Sequence, residues 1–76
     1  MKDYNVIVIT SFSREGNFIE KEVTPFPKGR VFREVARQLL KEFSLEGDEM
    51  IGESWCENAV SAGFSPSGEK IEIVAR

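Results

Sequence analysis

The spacing of apolar residues along this chain changes from strand-like to helical at Pro25-Phe26-Pro27. Proline donates no ladder hydrogen bond and biases the residue before it away from the α region, so a strand ends here. Beyond Gly29 the apolar residues recur with helical spacing, whereas the segments before Pro25 have strand character. This change of period restricts the chain to a fold that mixes strands and helix.

A β-hairpin is predicted at the start of the chain. Residues 4–12 are β-branched and aromatic and carry no charge, as expected for a central strand that is covered on both faces. Residues 13–17 are a turn cluster in which Gly16 supplies a positive φ, and residues 18–23 follow as a second strand. We therefore expect the first strand to lie in the middle of the sheet.

The apolar residues after Gly29 predict an amphipathic helix. They fall at i, i+1, i+4, i+5, i+8, i+9 and i+12, so they cover about half of a helix circumference, and Gly47 is a plausible residue to end it. Four cations flank this apolar arc and form a basic stripe: Arg30, Arg33, Arg37 and Lys41. The arc itself consists of Val31, Phe32, Val35, Ala36, Leu39, Leu40 and Phe43.

Residues 48–62 predict a second helix, with Asp48 as its N-cap and Gly63 at its end. Its buried stripe would be Ile51, Trp55, Ala59 and Ala62, opposite an acidic stripe of Glu49, Glu53 and Glu57. The alternative is a strand in which Val60, Ala62 and Phe64 alternate and pair with the last strand across residues 65–68.

Residues 69–75 predict the last strand, and 76 residues leave room for a single domain with one core. The predicted fold class is α+β: a two-layer small domain over residues 1–76 in the order ββααβ. It has an antiparallel N-terminal hairpin and helices on one face of a three-stranded sheet. The alternative order is ββαββ, with one helix on a four-stranded sheet.

The residue types present argue against catalysis. The chain has no histidine, and its glycines match no phosphate-binding motif. Cys56 is alone, so we expect a half-buried, inert thiol and a reducing cytoplasm. The longest apolar run, residues 6–9, is too short for a signal peptide or a membrane span. We predict no catalytic residue, no metal site and no cofactor, and therefore no enzyme.

Charge is sorted by segment, and this predicts a surface for charge-directed contacts. Residues 28–44 carry five cations against two acids, residues 45–76 carry seven acids against two cations, and the net charge is −3. We therefore expect a cytoplasmic protein–protein interaction or regulatory module, with a homodimer also compatible. Arginine and tryptophan often anchor interfaces. The candidate partner-binding residues are the basic stripe, Arg30, Arg33, Arg37 and Lys41, and a second surface, Glu53, Trp55 and Glu57.

Two other interpretations of the basic stripe stay open. The acidic second helix would neutralise it inside the fold, or it would contact nucleic-acid phosphates while Tyr4, Phe12 or Phe18 stacks on bases. Nucleic acid is the less favoured partner because the isoelectric point is near 4.9. Small acidic domains without catalytic motifs are common among accessory proteins of phages and mobile elements, including inhibitors of host defence complexes. We expect that class here, although no residue specifies it.

Overall fold

The computed structural model describes residues 3–43 and 47–76, and these form one helix and five strands. The strands and helix, in chain order, are β1 (Val6–Phe12), β2 (Phe18–Pro25), α1 (Phe32–Phe43), β3 (Glu49–Trp55), β4 (Ala59–Ser65) and β5 (Lys70–Ala75). The mixed α+β class is confirmed, but the order is ββαβββ. The predicted order ββααβ has one helix too many and two strands too few.

The five strands form one antiparallel sheet in the order β2-β1-β5-β4-β3. β1 pairs with β2 on one side and with β5 on the other, so Val8 lies opposite both Val23 and Val74. This confirms the predicted hairpin and the placement of the uncharged first strand between two neighbours. Gly16 in the hairpin turn has a φ of 85°, as expected for that turn.

The predicted helix over residues 48–62 is wrong, because this segment forms β3 and most of β4. A helix there would hold Gly52 in its interior and like charges four residues apart, and both features cost free energy. The alternative order predicted β4 and its pairing with the last strand, which the structure has with Val60 opposite Ile73 and Ala62 opposite Ile71. Neither order contained β3.

The core lies between α1 and one face of the sheet. Leu40 and Ala36 of the helix are buried, while Leu39 and Phe43 are partly buried against the same cluster. Val31 was predicted in the apolar arc but is 52% exposed, because it precedes α1 and only its carbonyl enters the helix, accepting from the N–H of Val35. The strands contribute Ile7, Ile9, Val60, Ala62, Phe64, Ile71, Ile73 and Ala75.

Two side chains hold the turn between β4 and β5. The guanidinium of Arg14, in the first hairpin turn, donates to the carbonyls of Pro66 and Ser67. The carboxylate of Asp48 accepts from the N–H of Ser67 at 3.1 Å and from its hydroxyl at 2.7 Å. Asp48 is therefore not a helix N-cap as predicted, since it binds the neighbouring turn and so fixes the start of β3.

α1 ends at Phe43, and the next residues, 44–46, lie outside the described part of the chain. The predicted helix-ending residue, Gly47, has a φ of 86°, in the left-handed region expected for it.

In the ranges that the structure describes, no helix has the length and apolar character needed to cross a membrane.

Candidate protein-binding surface

The pairing of β3 with β4 decides which β3 side chains lie under the helix. Directly opposed residues of an antiparallel pair project from the same face of the sheet. Trp55 lies opposite the buried Val60, and Met50 lies opposite the buried Phe64. Both Trp55 and Met50 therefore project toward the α1 side, and so does Glu53, which lies between them along the strand.

Trp55 is the centre of a cluster with two arginines of α1. The guanidinium carbons of Arg33 and Arg37, one helical turn apart, lie 4.5 and 5.3 Å from the centroid of the Trp55 ring. Phe32 packs edge-on against the same ring, with centroids 6.2 Å apart. At partly exposed sites each cation–π contact contributes about 0.5–1 kcal/mol. We call Arg33, Arg37 and Trp55 the Arg–Trp cluster.

The indole of Trp55 is held by ring packing. Its Nε1 atom is buried and donates no hydrogen bond to any residue in the described ranges. The indole nitrogen is a donor only, so a buried N–H without an acceptor carries a desolvation cost of about 1–3 kcal/mol. The ring is therefore positioned by its contacts with Phe32 and with the two guanidinium groups.

The structure joins two surfaces that the sequence treats as separate. Arg33 and Arg37 were predicted as part of the basic stripe, and Trp55 as part of a second surface, but all three are in contact. Neither arginine forms a salt bridge with a carboxylate of the described residues. Internal neutralisation of the stripe by an acidic helix is wrong, because that helix is absent from the described chain and strands occupy its place.

The other cations of the stripe extend the cluster in both directions along α1. Arg30 precedes the helix, and its Nη2 atom lies 3.5 Å from an Oε1 atom of Glu34, with both side chains well exposed. Lys41 lies one turn beyond Arg37 and borders a cleft described below. Arg30, Arg33, Arg37 and Lys41 are all exposed, so the predicted basic stripe is a real solvent-facing feature of the molecule.

The predicted acidic stripe does not form. Glu49 lies opposite Ser65 on the face away from the helix, Glu53 lies on the helix side, and Glu57 follows β3 in the turn to β4. All three are exposed, but only Glu53 lies on the same sheet face as Trp55. A strand separates side chains that a helix would have aligned, because its side chains alternate between two faces.

Sequence reasoning missed a cleft between α1 and β3. Its volume is about 220 Å³, and its apolar lining comes from Leu40, Met50 and Phe64. Arg37 and Lys41 border it on the helix side; Asp48 also lines it. The alternation of apolar residues that ends at Phe64 predicts β4, and so one wall of the cleft. No local pattern in the sequence predicts that Met50 lies beside Phe64.

β3 also forms one edge of the sheet. It pairs with β4 on one side and has no strand on the other within the described residues. Its residues are exposed apart from Trp55, and Ile51, at a bulge between Met50 and Gly52, is 69% exposed. A sheet edge presents unpaired backbone N–H and C=O groups, so it is a template for pairing with another chain.

The lone thiol differs from its prediction. Cys56 is exposed rather than half-buried, because it follows the end of β3 instead of lying on a helix stripe. Its N–H donates to the carbonyl of Ala59 at 2.8 Å and closes the β3–β4 turn. Across residues 3–43 and 47–76, no group of three or more metal-ligating side chains is arranged to hold a metal ion.

Compared with known proteins, the chain matches no protein-family model, no curated protein and no solved structure.

Proposed function

We propose that this protein is a small regulatory module that binds another protein and catalyses no reaction. Its proposed binding surface is the Arg–Trp cluster with Arg30 and Lys41 beside it. The observation that carries the proposal is the position of Arg33 and Arg37, whose guanidinium carbons lie 4.5 and 5.3 Å from the centre of the Trp55 ring. Ordering long side chains before binding reduces the entropy lost on association, and arginine and tryptophan dominate interface hot spots.

The proposed partner presents carboxylates to this surface. A guanidinium that stacks on an aromatic ring keeps its charge and its planar set of N–H donors, which match a carboxylate in a two-point contact. Glu53 projects on the same side of the sheet as Trp55 and is exposed. The surface is therefore mixed in charge, and mixed charge selects a partner with a matching pattern.

The same features disfavour nucleic acid as the partner. Glu53 would face phosphates and be repelled. The three aromatic residues predicted to stack on bases do not converge on the basic stripe: Tyr4 packs against Phe26 and Phe32, Phe12 lies opposite Lys70 on the other sheet face, and Phe18 lies on β2, at the opposite edge from β3. Trp55 does lie on the stripe, but Arg33 and Arg37 already stack on its ring. A nucleic-acid interface needs the stacking and the cationic groups on one surface.

The proposal includes the cytoplasm as the compartment, because a single thiol is typical of proteins in a reducing environment. It also includes a role as an accessory protein of a phage or mobile element that inhibits a host defence complex. That part comes from the general class of small, acidic, non-catalytic domains, and the binding experiment below tests it by identifying the partner.

The test is capture from a bacterial lysate with tagged wild-type protein and with the double variant Arg33→Glu/Arg37→Glu. The matched control is Lys21→Glu/Lys70→Glu, which makes the same change in net charge. Both lysines are exposed and lie on the sheet face away from the helix, since Lys21 opposes Thr10 and Lys70 opposes Phe12. Circular dichroism of each variant shows whether the fold is retained.

We expect a specific protein, identified by mass spectrometry, to be retained by the wild type and the lysine control and lost by the arginine variant. Retention of that protein by the folded arginine variant would show that the cluster is not the binding surface. A labelled oligonucleotide at low salt tests the alternative: binding that the arginine variant loses, with no protein captured, would favour a nucleic-acid module.

A further inference from the structure

We propose that the free edge of β3 accepts, by strand addition, an extended segment of the partner that carries a carboxylate beside Trp55 and an apolar residue two or four positions away. The inference rests on the proposed protein-binding function and deepens it, because it assigns the backbone geometry and the chemistry of the bound segment. Three features meet at this edge: an unpaired strand, a row of cations that reaches over it from α1, and an apolar cleft beside it.

The unpaired strand supplies the main-chain contacts. β3 is bonded to β4 along one side only, so outside the bulge at Ile51 every second residue of Glu49–Trp55 directs its backbone N–H and C=O outward. These groups are strong donors and acceptors that an added strand would satisfy. In strand addition the backbone supplies affinity, and pockets for alternate side chains supply specificity.

The cations set the charge of the added strand. Side chains of such a strand alternate between the two sheet faces, so every second one would lie beside Met50, Glu53 and Trp55, on the α1 side. The guanidinium groups of Arg33 and Arg37 lie over the ring of Trp55, a residue of the edge strand itself. A carboxylate in the added strand beside Trp55 would therefore meet two guanidinium groups.

The cleft adds a second requirement. At about 220 Å³ it is smaller than the roughly 300–1,000 Å³ typical of sites for whole small molecules. Its apolar lining of Leu40, Met50 and Phe64 suits one inserted side chain. The added strand would thus carry an apolar residue two or four positions from its carboxylate, because positions separated by an even number share a face.

The opposite edge of the sheet carries carboxylates on the α1 side, whereas the arginines of α1 stack on Trp55 of β3. On β2, Glu22 lies across from Ile9 and Glu20 across from Ser11, so both carboxylates project on the α1 side. A carboxylate would be repelled there, whereas at β3 it can lie beside Trp55 and the two arginines that cover its ring. β2 also ends at Pro25, which has no N–H to donate to an added strand, whereas β3 contains no proline.

A second copy of the chain is the rival occupant, because its β2 edge also carries carboxylates on the α1 side, at Glu20 and Glu22. Pairing β2 of one molecule with β3 of the next is a head-to-tail contact, which propagates into open chains unless it closes as a ring. Pro25, which has no N–H to donate, opposes that contact. We therefore assign the β3 edge to a partner segment, and the test includes self-association as a contrary result.

The experiment titrates the ¹⁵N-labelled full chain with two synthetic nine-residue peptides, N-acetylated and C-amidated. In one, a single central glutamate is followed and preceded by valine at every second position, with threonine between; in the other, lysine replaces the glutamate. We expect the acidic peptide to shift the amide signals of Glu49–Trp55 and to leave those of Phe18–Pro25 unchanged. The lysine peptide should leave β3 unshifted, and added salt should weaken binding of the acidic peptide.

Charge reversal supplies the matched variant. In Arg33→Glu/Arg37→Glu we expect binding of the acidic peptide to weaken by about tenfold, and the lysine peptide to become the better ligand. Lys21→Glu/Lys70→Glu, on the other sheet face, should keep the wild-type preference. Equal binding of both peptides, or an acidic peptide that leaves β3 unshifted, would overturn the inference.

Self-association has its own signature. A molecular mass that grows with protein concentration, together with shifts in both β2 and β3 on dilution, would assign the edge to a second copy and overturn the inference. A partner that is captured from lysate and lost on arginine reversal, while the acidic peptide leaves β3 unshifted, would remove strand addition alone and leave the proposed function standing.

Discussion

The contacts between the two arginines and Trp55 give a prediction about stability that can be worked out from the structure. Methionine in place of Arg33 and Arg37 keeps a long flexible stem and a similar helix propensity but removes the charge. Two cation–π contacts of about 0.5–1 kcal/mol each would be lost, about 1–2 kcal/mol together. A core of this size supplies about 3–5 kcal/mol, so the double variant should stay mostly folded with a clearly lower urea midpoint.

A double-mutant cycle isolates the contact from other effects of the substitutions. The cycle combines Arg33→Met or Arg37→Met with Trp55→Leu, and urea unfolding is followed by far-ultraviolet circular dichroism because Trp55 is the only tryptophan. We expect a coupling free energy of about 0.5–1 kcal/mol for each arginine. Arg30→Met is the control and should show no coupling, since Arg30 pairs with Glu34 instead. Coupling near zero for both Arg33 and Arg37 would refute the assignment.

Three further predictions concern the fold, and each is measured as a change in urea midpoint. Leu40→Ala should cost about 2–5 kcal/mol and more than Leu39→Ala, because Leu40 is 3% exposed and Leu39 only partly buried; equal losses would contradict this helix orientation. Asp48→Ala should cost about 1–3 kcal/mol by removing the acceptor of two hydrogen bonds from the β4–β5 turn, and an unchanged midpoint would show that the carboxylate does not hold it. Gly68→Ala should cost more than Gly16→Ala: both have positive φ, but only at Gly68 would the added Cβ lie within 3.0 Å of another side chain.

Local patterns in the sequence predict the first hairpin, the helix and the last strand. The uncharged β1, the turn around Gly16 and the prolines after Val23 each act within a few residues, so no distant contact is needed to interpret them. The arc of α1 is likewise readable from its spacing, although α1 begins at Phe32, so that Arg30 and Val31 precede the helix. These are segments in which one period is clearly dominant.

Residues 48–62 could not be assigned in this way, because their apolar residues fit two periods. Ile51, Trp55 and Ala59 are four residues apart, as on a helix, yet in the structure Trp55 belongs to β3 and Ala59 to β4. Whether this segment forms a helix or two strands depends on the free energy of strand pairing. β4 is stabilised by pairing with β5, and β3 is then stabilised by pairing with β4. Such pairing between separate segments is invisible to local propensity, which tertiary contacts routinely override.

The candidate surface also combines features that local sequence predicts with features that only tertiary contacts produce. The spacing of Arg33 and Arg37 in the sequence places both on one flank of the helix. The residue type of Trp55 alone makes it a candidate for an interface. Only the tertiary structure decided that they touch, since the strand order places β3 at the sheet edge and its register turns Trp55 toward α1. Helical spacing is fixed by bonds within four residues of each other, whereas a sheet edge exists only once all five strands have found their neighbours.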